Sequence, residues 1–542
     1  METWNQIYNP MDSMWLSTFV AALPIMLFIA LLTLYNIKGY ISGLISVLFA
    51  GFISVFVYKF PVKMFLSSAM YGMLSGVWPV ASIVLSVIIL YKITVKTGYF
   101  DVIKGSITSI TGDQRIQVLI IAFSFGAFLE GTAGYGAPIA ITCSILVGLG
   151  FSPIYAAGLC LIANLASGVY GSMGIPVTAP AGLTNLNPLL VSQYTSNIMP
   201  IIALLIAFLL VFIIDGIRGV RQTLPAILTC GLTFGIVQYI ISTFLGAELV
   251  DIFASVSSII ALMILLRFWK PKETFRINKE DKVIETLIPH YSARKIFFAW
   301  LPYIILTVFV TIMNLHVIKE ALQPGGLLYK TVLYFKIPNL HQEVIREAPI
   351  VKIPTPFDAM YKLDLLTSTT SAIILTIFIS MLLFKANGKI FRASLIETFK
   401  ELWSPILTIC SVLALAYVCT YSGLSSTIGL ALSNTGQIFP FLAPVLGWLG
   451  VFLTGFVVSS GTLLAPLQSV TATQIGLDPA SLVAMNVIGG DIAKMLSPQS
   501  IAIATAAVGL AGRDSDLFKF TISYSGIFLI IVGVCSIIMS QI

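Results

Sequence analysis

Long apolar runs separated by short polar loops dominate the chain. A helix needs about 20 apolar residues to cross the hydrocarbon core of a bilayer. By this measure the pattern predicts an all-α polytopic membrane protein with about twelve transmembrane helices. The predicted spans are 14–35, 39–58, 72–93, 153–172, 197–215, 223–245, 249–269, 296–315, 367–384, 404–422, 479–508 and 520–540.

Two further apolar regions, 116–150 and 437–476, are interrupted by glycine, proline and polar residues. The first contains GAFLEGTAGYGAP (126–138), which places a carboxylate, Glu130, and four glycines where lipid would otherwise surround the chain. Non-helical backbone at membrane depth is tolerated only where protein or a water-filled cavity satisfies its polar groups. We therefore predict two re-entrant hairpins, whose half-helix ends carry partial positive charge suited to an anionic substrate.

Composition supports a membrane protein and excludes several other classes. Hydrophobic residues make up 58% of the 542 residues and charged residues 10%, against about 25% charged in soluble domains. The net charge of +7 is not concentrated in a basic patch, which argues against nucleic-acid binding. The six cysteines lie in apolar segments without metal or disulfide spacing, so we expect packing roles and no cofactor. The N-terminus has no Lys or Arg before the first apolar run, which argues against a cleaved signal peptide.

The distribution of positive charge predicts which loops face the cytoplasm. Short loops rich in Lys and Arg stay on that side of a cell membrane. Four such loops are 92–115, 218–221, 270–295 and 385–400. The turn GAELVD (246–251) and the long segment 316–366 then fall outside, as do both termini. Lys59 and Lys63 oppose this arrangement, but they are two charges against many.

Sequence similarity within the chain predicts an internal repeat. GTAGYGAP (131–138) is echoed by GTLLAP (461–466), and GLGFSPIYAAGL (148–159) by IGLDPASLVAM (475–485). The segments 148–159 and 475–485 each contain a helix start, a capping residue followed by a proline. Each of these helices is then interrupted by a helix-breaking segment, GSMGIP (171–176) in the first and LSPQS (496–500) in the second. The positions of the positively charged loops predict that the two repeats have opposite orientations in the membrane. Paired interrupted segments in inverted repeats mark the midplane substrate site of secondary transporters.

The repeat divides the chain into three parts. Residues 1–215 form the N-terminal repeat, with hairpin 116–150 and broken helix 153–176. Residues 216–295 hold two linking spans and a basic cytoplasmic loop. The inverted repeat, 296–542, contains the external loop 316–366, hairpin 437–476 and broken helix 479–508.

Several segments together resemble the bacterial and archaeal L-lactate permease family. They are KGYISG (38–43), YGMLSGVWPVA (71–81), YKITVKTGYFD (91–101), DQRIQ (113–117), FGAFLEGTAGYGAPIAIT (125–142), YAAGLCLIAN (155–164), FPFLAPVLGWLGVFLTG (439–455) and KMLSPQSIAIATAAVGL (494–510). The resemblance implies symport of lactate or glycolate with protons. It also implies an elevator-type transporter that forms a homodimer and is built from two inverted repeats.

Two segments and one further residue depart from the family pattern. LASGVYG (165–171) replaces a segment that usually reads Thr-Ala-Pro and then Phe-Gly. FVVSSGT (456–462) stands where the family has Ser-Asp-Thr-Ser-Ser-Asn after Gly455. Asp491 occupies a position that the family normally leaves uncharged. One acid has been lost from a hairpin and one gained on the neighbouring helix, which leaves the identity of the carboxylate open.

Glu130 and Asp491 are the candidate proton-coupling residues. A carboxylate at membrane depth is costly as an anion, so it is suited to exchanging a proton; the alternative for Glu130 is a protonated cap of the hairpin backbone. Lys494 is expected to pair with the substrate carboxylate or with Asp491 at i−3, the latter favoured at rest. The other predicted substrate-binding residues are Gly131, Thr132, Gly134, Tyr135, Asn164, Ser167, Ser460, Gly461, Thr462, Asn486 and Gln499. Any one of the hydroxyls and amides is also suited to bonding nearby backbone.

Rival functions lack a necessary residue or pattern. An intramembrane aspartyl protease needs a second membrane Asp, and a serine protease needs a base, but His290, His316 and His341 fall in loops. A channel would favour a single pore over two opposed hairpins. A sodium-coupled carboxylate transporter of the same architecture stays open, because carbonyls in broken helices bind Na⁺. The sequence favours proton-coupled import of lactate or a close 2-hydroxy acid such as glycolate.

Overall fold

A computed structural model describes residues 3–541 except 36, 135, 278–290, 315, 322–325, 327, 511 and 512. Helices dominate the fold. Those of the first part of the chain are α1 (Met14–Thr33), α2 (Gly39–Phe56), α3 (Val62–Ser75), α4 (Ser82–Lys96), α5 (Tyr99–Thr108), α6 (Gln114–Val118), α7 (Gly126–Thr132), α8 (Ala137–Gly148), α9 (Pro153–Asn164), α10 (Gly171–Leu183), α11 (Pro188–Ser196) and α12 (Met199–Phe244). Two π-helical segments, Gly76–Ala81 and Leu119–Phe125, join α3 to α4 and α6 to α7.

The remaining helices continue this architecture. They are α13 (Val250–Phe268), α14 (Ala293–Asn314), α15 (His316–Ala321), α16 (Thr369–Leu383), α17 (Gly388–Tyr421), α18 (Leu424–Ser433), α19 (Phe439–Thr454), α20 (Val457–Gln474), α21 (Pro479–Lys494), α22 (Pro498–Ala507) and α23 (Asp514–Met539). Among the described residues, ten helices are long and apolar enough to cross a membrane, or eleven if the bent pair 153–164 and 168–183 forms one span. The expected total of twelve spans is not reached by this measure.

Helix α12 contains two of the predicted spans. Its backbone leaves helical geometry at Asp215, Gly216 and Thr223. A Cβ on Gly231 would lie 2.7 Å from Leu204, and one on Gly235 would lie 3.0 Å from a carbonyl oxygen of Pro200. The second half of α12 therefore packs antiparallel to the first, as the predicted spans 197–215 and 223–245 require.

The predicted external loop 316–366 contains short strands, so the fold is not purely α-helical. They are β2 (Val332–Lys336), β3 (Val344–Arg346), β4 (Thr355–Pro356) and β5 (Met360–Asp364), and β1 (Trp4–Asn5) lies at the N-terminus. β2 pairs antiparallel with β5. β3 pairs antiparallel with β4 and parallel with β1. The N-terminus and this segment therefore lie on one side of the protein, as predicted, whereas their position relative to a membrane stays a prediction.

The first predicted hairpin folds back on itself. One arm runs from α6 to α7 and the other is α8, and Gln114 Nε2 donates a hydrogen bond to Leu149 O at 2.9 Å, which joins the two ends. At the tip, Gly134 and Gly136 have φ values of +55° and +86°. Such values favour glycine, so the glycines of the motif form the turn that the sequence predicted.

The second hairpin consists of α19 and α20. Gly450 packs on Ser460, and Gln468 Nε2 bonds Ala443 O at 3.2 Å, so the two helices are antiparallel. The turn between them lies at Gly455, whose φ is +79°. The segment 461–466, aligned with the tip of the first hairpin by sequence, is instead helical within α20. The turn of the second hairpin therefore lies several residues before the segment that echoes the first tip.

The bases of the two hairpins lie near different loops. Gln114 at the first base accepts a bond from Ile277 N and donates its own N–H to Phe275 O. Gln474 at the second base donates to Pro349 O at 3.0 Å. Helix α14 separates these two loops along the chain. That the hairpins open in opposite directions stays a prediction.

Both predicted broken helices are interrupted. Between α9 and α10 the chain bends by 61°, and Ser172, Met173 and Gly174 all have positive φ values, 47°, 61° and 74°. A left-handed conformation costs about 1–2 kcal/mol for each non-glycine residue, so packing must stabilise this break. Helix α21 ends at Lys494, and Pro498 begins α22.

The order of elements recurs in the two halves. A long helix ends at a glycine with positive φ, Gly98 (+76°) or Gly423 (+85°), and a ten-residue helix follows, α5 or α18. A hairpin, a broken helix and a long final helix come next. Helix α10 packs on α20, and α22 packs on α8, so each broken helix contacts the hairpin of the other half. The inverted orientation of the halves stays a prediction.

A buried arginine anchors the first hairpin. Arg115 is 0% exposed and pairs with Asp113 and Asp215, both at 2.8 Å. It also bonds Gln222 Oε1 at 2.7 Å and Glu273 O at 2.9 Å. The network ties the start of the hairpin to α12 and to the loop after α13.

Arg115→Met should destabilise the protein by about 3–5 kcal/mol, because it leaves two carboxylates without their buried cation. Thermal unfolding in detergent would measure the loss. Arg218→Met is the matched control, since Arg218 pairs with Glu273 at 2.6 Å where both side chains are more than 60% exposed, and such pairs contribute about 1 kcal/mol or less. Equal unfolding midpoints for the two variants would contradict the anchoring role.

Candidate functional site

A buried ion pair joins the two halves of the protein. Lys494 Nζ lies 2.6 Å from Glu130 Oε1. The other carboxylate oxygen, Oε2, accepts a hydrogen bond from Asn164 Nδ2 at 2.9 Å. Glu130 lies near the tip of the first hairpin, Asn164 ends α9, and Lys494 ends α21. These three predicted site residues therefore meet where a hairpin and both helix breaks converge.

Glycines allow the close packing around this pair. A Cβ on Gly171 would lie 2.5 Å from Glu130 Oε1, and one on Gly131 would lie 2.7 Å from the Cβ of Asp251. Gly168 lies against the carboxylate of Asp491, and Gly134 against the hydroxyl of Ser172. Gly131 and Gly134, predicted as substrate-binding residues, thus provide space for neighbouring polar side chains.

Gly171→Ala tests this packing. The new methyl group would displace the Glu130 carboxylate from Lys494, so we expect uptake to fall about tenfold or more, the effect of about 1.4 kcal/mol. Gly182→Ala is the control on the same helix, because no atom lies within 4 Å of its Cβ position. Initial uptake rates in proteoliposomes with equal protein content would compare the two. Equal uptake would show that Glu130 tolerates the displacement.

Asp491 does not pair with Lys494, contrary to the expected i−3 pair. Its side chain is 1% exposed and lies against Gly168. No side chain of the described residues donates a hydrogen bond to it. Lys494 reaches across to the first hairpin instead, because its position at the C-terminal end of α21 places Nζ beside Glu130. Asp491 thus remains a second buried acid near the ion pair.

A cleft borders the ion pair. Of the described residues that line it, Lys494 alone carries a positive charge. Gly455, Phe456, Val457 and Val458 from the second hairpin form much of the opposite wall. The cleft therefore combines the Lys494–Glu130 ion pair with an apolar surface.

Ser459 and Gln499 line both this cleft and a second cavity, which is bounded on its other side by residues such as Phe28 and Thr408. The Ser459 hydroxyl is buried and has no hydrogen-bond partner among the described residues. Gln499 was predicted as a site residue, but Ser459 was not. The sequence could not show which of two adjacent serines faces the cleft.

Several other predicted binding residues contact neighbouring parts of the protein, and their role in binding stays a prediction. The hydroxyls of Thr132 and Thr462 bond carbonyl oxygens of their own helices at 2.9 and 2.6 Å. Asn486 Nδ2 donates to Gly461 O at 3.1 Å and so joins α21 to α20. Ser460 packs on Gly450, and the Ser167 hydroxyl donates to Asn164 O at 3.3 Å. Tyr135 lies outside the described residues.

Asp251 is an acidic residue of this region that the sequence interpretation placed in an external loop. The turn 246–251 instead packs against the break of the first broken helix, with Ala247 beside Gly174. Asp251 is 1% exposed and lies against Gly131, the residue next to Glu130. Only packing between distant segments of the chain reveals this position.

The apolar helices define a multi-pass helical membrane protein, and a cleft beside a buried ion pair lies within it. The chain matches the L-lactate permease family over residues 17–542. It belongs to that family, and the resemblance found in the sequence is confirmed. Members of the family are transporters, not enzymes.

Relatives that align with nearly the whole chain are named as permeases. The chain is 43% identical to the glycolate permease GlcA of Escherichia coli over 553 residues, which cover 100% of this chain and 99% of the relative. It is 44% identical to the L-lactate permease of Salmonella typhi over 100% and 99% of the two chains. The L-lactate permease of Bacillus subtilis is 43% identical over 99% of each chain.

One solved structure shares a limited similarity. The YdaH transporter of Alcanivorax borkumensis aligns over 88% of each chain with 15% sequence identity and a TM-score of 0.46. Similarity at this level supports no conclusion about mechanism.

Proposed function

We propose that this protein imports L-lactate or a close 2-hydroxy acid such as glycolate across the plasma membrane together with protons. The Lys494–Glu130 pair at 2.6 Å carries the proposal, because it places one exchangeable charge pair beside the cleft. Relatives named as lactate and glycolate permeases support the choice of substrate.

The substrate carboxylate would take the place of Glu130 at Lys494. In the structure, Lys494 and Glu130 neutralise each other in a site where both side chains are at most 13% exposed. An arriving carboxylate competes for the same ammonium group. If Glu130 stayed ionised, the site would hold two anions and one cation, and an unpaired buried charge costs several kcal/mol.

A proton on Glu130 removes this excess charge. The loaded site would then contain the Lys494–carboxylate pair and a neutral Glu130, and Asn164 would still contact the acid. Binding of the substrate and binding of the proton are each disfavoured without the other. Lys494 and Glu130 therefore couple the two binding events. Asp491 is a second candidate to take up a proton near the same site.

The cleft favours a small monocarboxylate with a polar substituent. One ammonium group neutralises one carboxylate, so a dicarboxylate would bring an unpaired buried charge. Ser459 offers an unpartnered hydroxyl and Gln499 an amide to a 2-hydroxyl group. Phe456 and Val457 offer an apolar wall to the alkyl part.

Transport would follow an elevator mechanism. The moving unit would contain both hairpins and the broken helices 153–172 and 479–508, a grouping supported by the packing of α10 on α20 and of α22 on α8. The dimer contact would lie in the remaining spans. Both termini would face the outside of the cell.

Uptake by proteoliposomes would test the proposal. Labelled lactate, glycolate, acetate and succinate would be offered under an imposed proton gradient or an imposed sodium gradient at fixed pH. We expect lactate and glycolate to accumulate with the proton gradient alone. Accumulation that follows sodium and ignores protons would contradict the coupling, and failure of both 2-hydroxy acids to compete would contradict the substrate.

A further inference from the structure

We propose that Asp251 is the proton relay that loads Glu130, an inference that rests on the proposed proton symport. Glu130 is 3% exposed, and its two oxygens contact Lys494 and Asn164. A coupling proton therefore needs a neighbouring group that can hold it and pass it on. Chains of Asp, Glu and His serve this purpose in membrane proteins.

Asp251 has the position that a relay requires. Its backbone lies in the first turn of α13, and its Cβ would be 2.7 Å from a Cβ on Gly131. Electrostatic interactions link it to Glu130, Asp491 and Lys494, and also to the buried side chain of Tyr170. The adjoining turn reaches Glu248, which is partly exposed and only three residues away. Asp251 therefore packs against the residue next to Glu130 and lies three residues from a partly exposed acid.

The side chain is also free to exchange a proton. Asp251 is 1% exposed, and neither carboxylate oxygen has a hydrogen-bond partner among the described residues. A structural acid at such a burial would ordinarily be hydrogen-bonded, because an unsatisfied buried polar group is costly. The cluster holds three carboxyl groups and one ammonium group, so Asp251 carries a proton while Glu130 is paired with Lys494.

The transfer conserves charge within the cluster. When substrate displaces Glu130, neutral Asp251 gives its proton to the Glu130 carboxylate, directly or through one water. Asp251 becomes an anion for this step, at a helix N-terminus that stabilises negative charge. It then takes a new proton from water on the side of the 246–251 turn. Glu130 keeps the transferred proton while substrate is bound and releases it with the substrate on the other side of the membrane, away from Asp251.

Asp251→Asn separates this role from a structural one. Asparagine keeps the shape but holds no exchangeable proton, so we expect proton-driven net uptake to fall at least tenfold relative to lactate exchange measured in the same vesicles. Lactate exchange needs no net movement of protons, because the transporter crosses the membrane in both directions with lactate and proton bound. Asp251→Glu should restore part of net uptake, and Ser255→Ala, one turn along α13 with its hydroxyl bonded to Ile252 O, is the packing control.

The result also distinguishes the relay from the proposed function. If Asp251→Asn showed the same proton-dependent net uptake as the wild-type protein, the relay would be overturned. The proton would then reach Glu130 through the cleft. An equal loss of exchange and net uptake in a folded Asp251→Asn protein would also overturn it, since that indicates a structural role. A wild-type protein without proton-driven uptake would instead contradict the symport proposal itself.

Discussion

Glu130→Gln should abolish proton-driven accumulation of lactate while the protein still exchanges external for internal lactate. Glutamine keeps the length and the contact with Asn164 but cannot carry a proton. It resembles the neutral, loaded form of Glu130, so Lys494 becomes permanently available to the substrate carboxylate. Accumulation and counterflow in the same proteoliposomes, over a range of external pH, would measure the two activities.

Two further variants sharpen this result. Glu130→Asp keeps a titratable group one methylene shorter and should retain part of the accumulation. Glu397→Gln is the matched control, because Glu397 pairs with Lys96 at 2.7 Å with 47% of its side chain exposed. Full accumulation by Glu130→Gln would show that Glu130 is a structural acid and would direct attention to Asp491.

Lys494→Gln should reduce lactate uptake about a hundredfold or more. The substrate carboxylate loses its cation, and breaking a buried pair costs about 3–5 kcal/mol, where about 1.4 kcal/mol corresponds to a factor of ten. The same substitution leaves Glu130 buried without its partner, so the unfolding temperature in detergent should fall. Substrate binding, net uptake and thermal unfolding would be measured on the purified protein.

The double variant separates stability from transport. Combining Lys494→Gln with Glu130→Gln removes both charges, so it should recover most of the lost thermal stability but none of the uptake. Lys96→Gln, on the partly exposed pair with Glu397, should change neither property by much. Lactate binding by Lys494→Gln with wild-type affinity would contradict a role for Lys494 as the carboxylate ligand.

Local sequence features predicted the elements around the site. Ser152 and Asp478, each followed by a proline, mark the starts of α9 and α21 as expected. The glycines at 134 and 136 form the first hairpin turn, because their positive φ values exclude most other residues. These features depend on the residue itself and on its near neighbours, so sequence is sufficient to predict them.

Contacts between distant segments were harder to predict. The i−3 spacing suggested that Lys494 pairs with Asp491, but the partner is Glu130, 364 residues away. Successive residues of a helix point in directions about 100° apart, and a one-residue difference decides that Ser459 rather than Ser460 faces the cleft. Asp251 follows an apparently external turn, and only the packing of that turn on Gly174 explains its burial.

Pairing of the first strand with β3 has a consequence for how the protein is made. The backbone N–H groups of Trp4 and Gln6 donate to the carbonyl oxygens of Glu343 and Ile345, and the Gln6 side-chain amide donates to those of Thr420 and Tyr421. During synthesis the N-terminal backbone must therefore stay unpaired until Ile345, almost two thirds of the way along the 542 residues, has left the ribosome, and the Gln6 side chain waits longer, until Tyr421. A tag fused before Trp4 would be positioned to disturb the last stage of assembly, whereas α1 would insert normally.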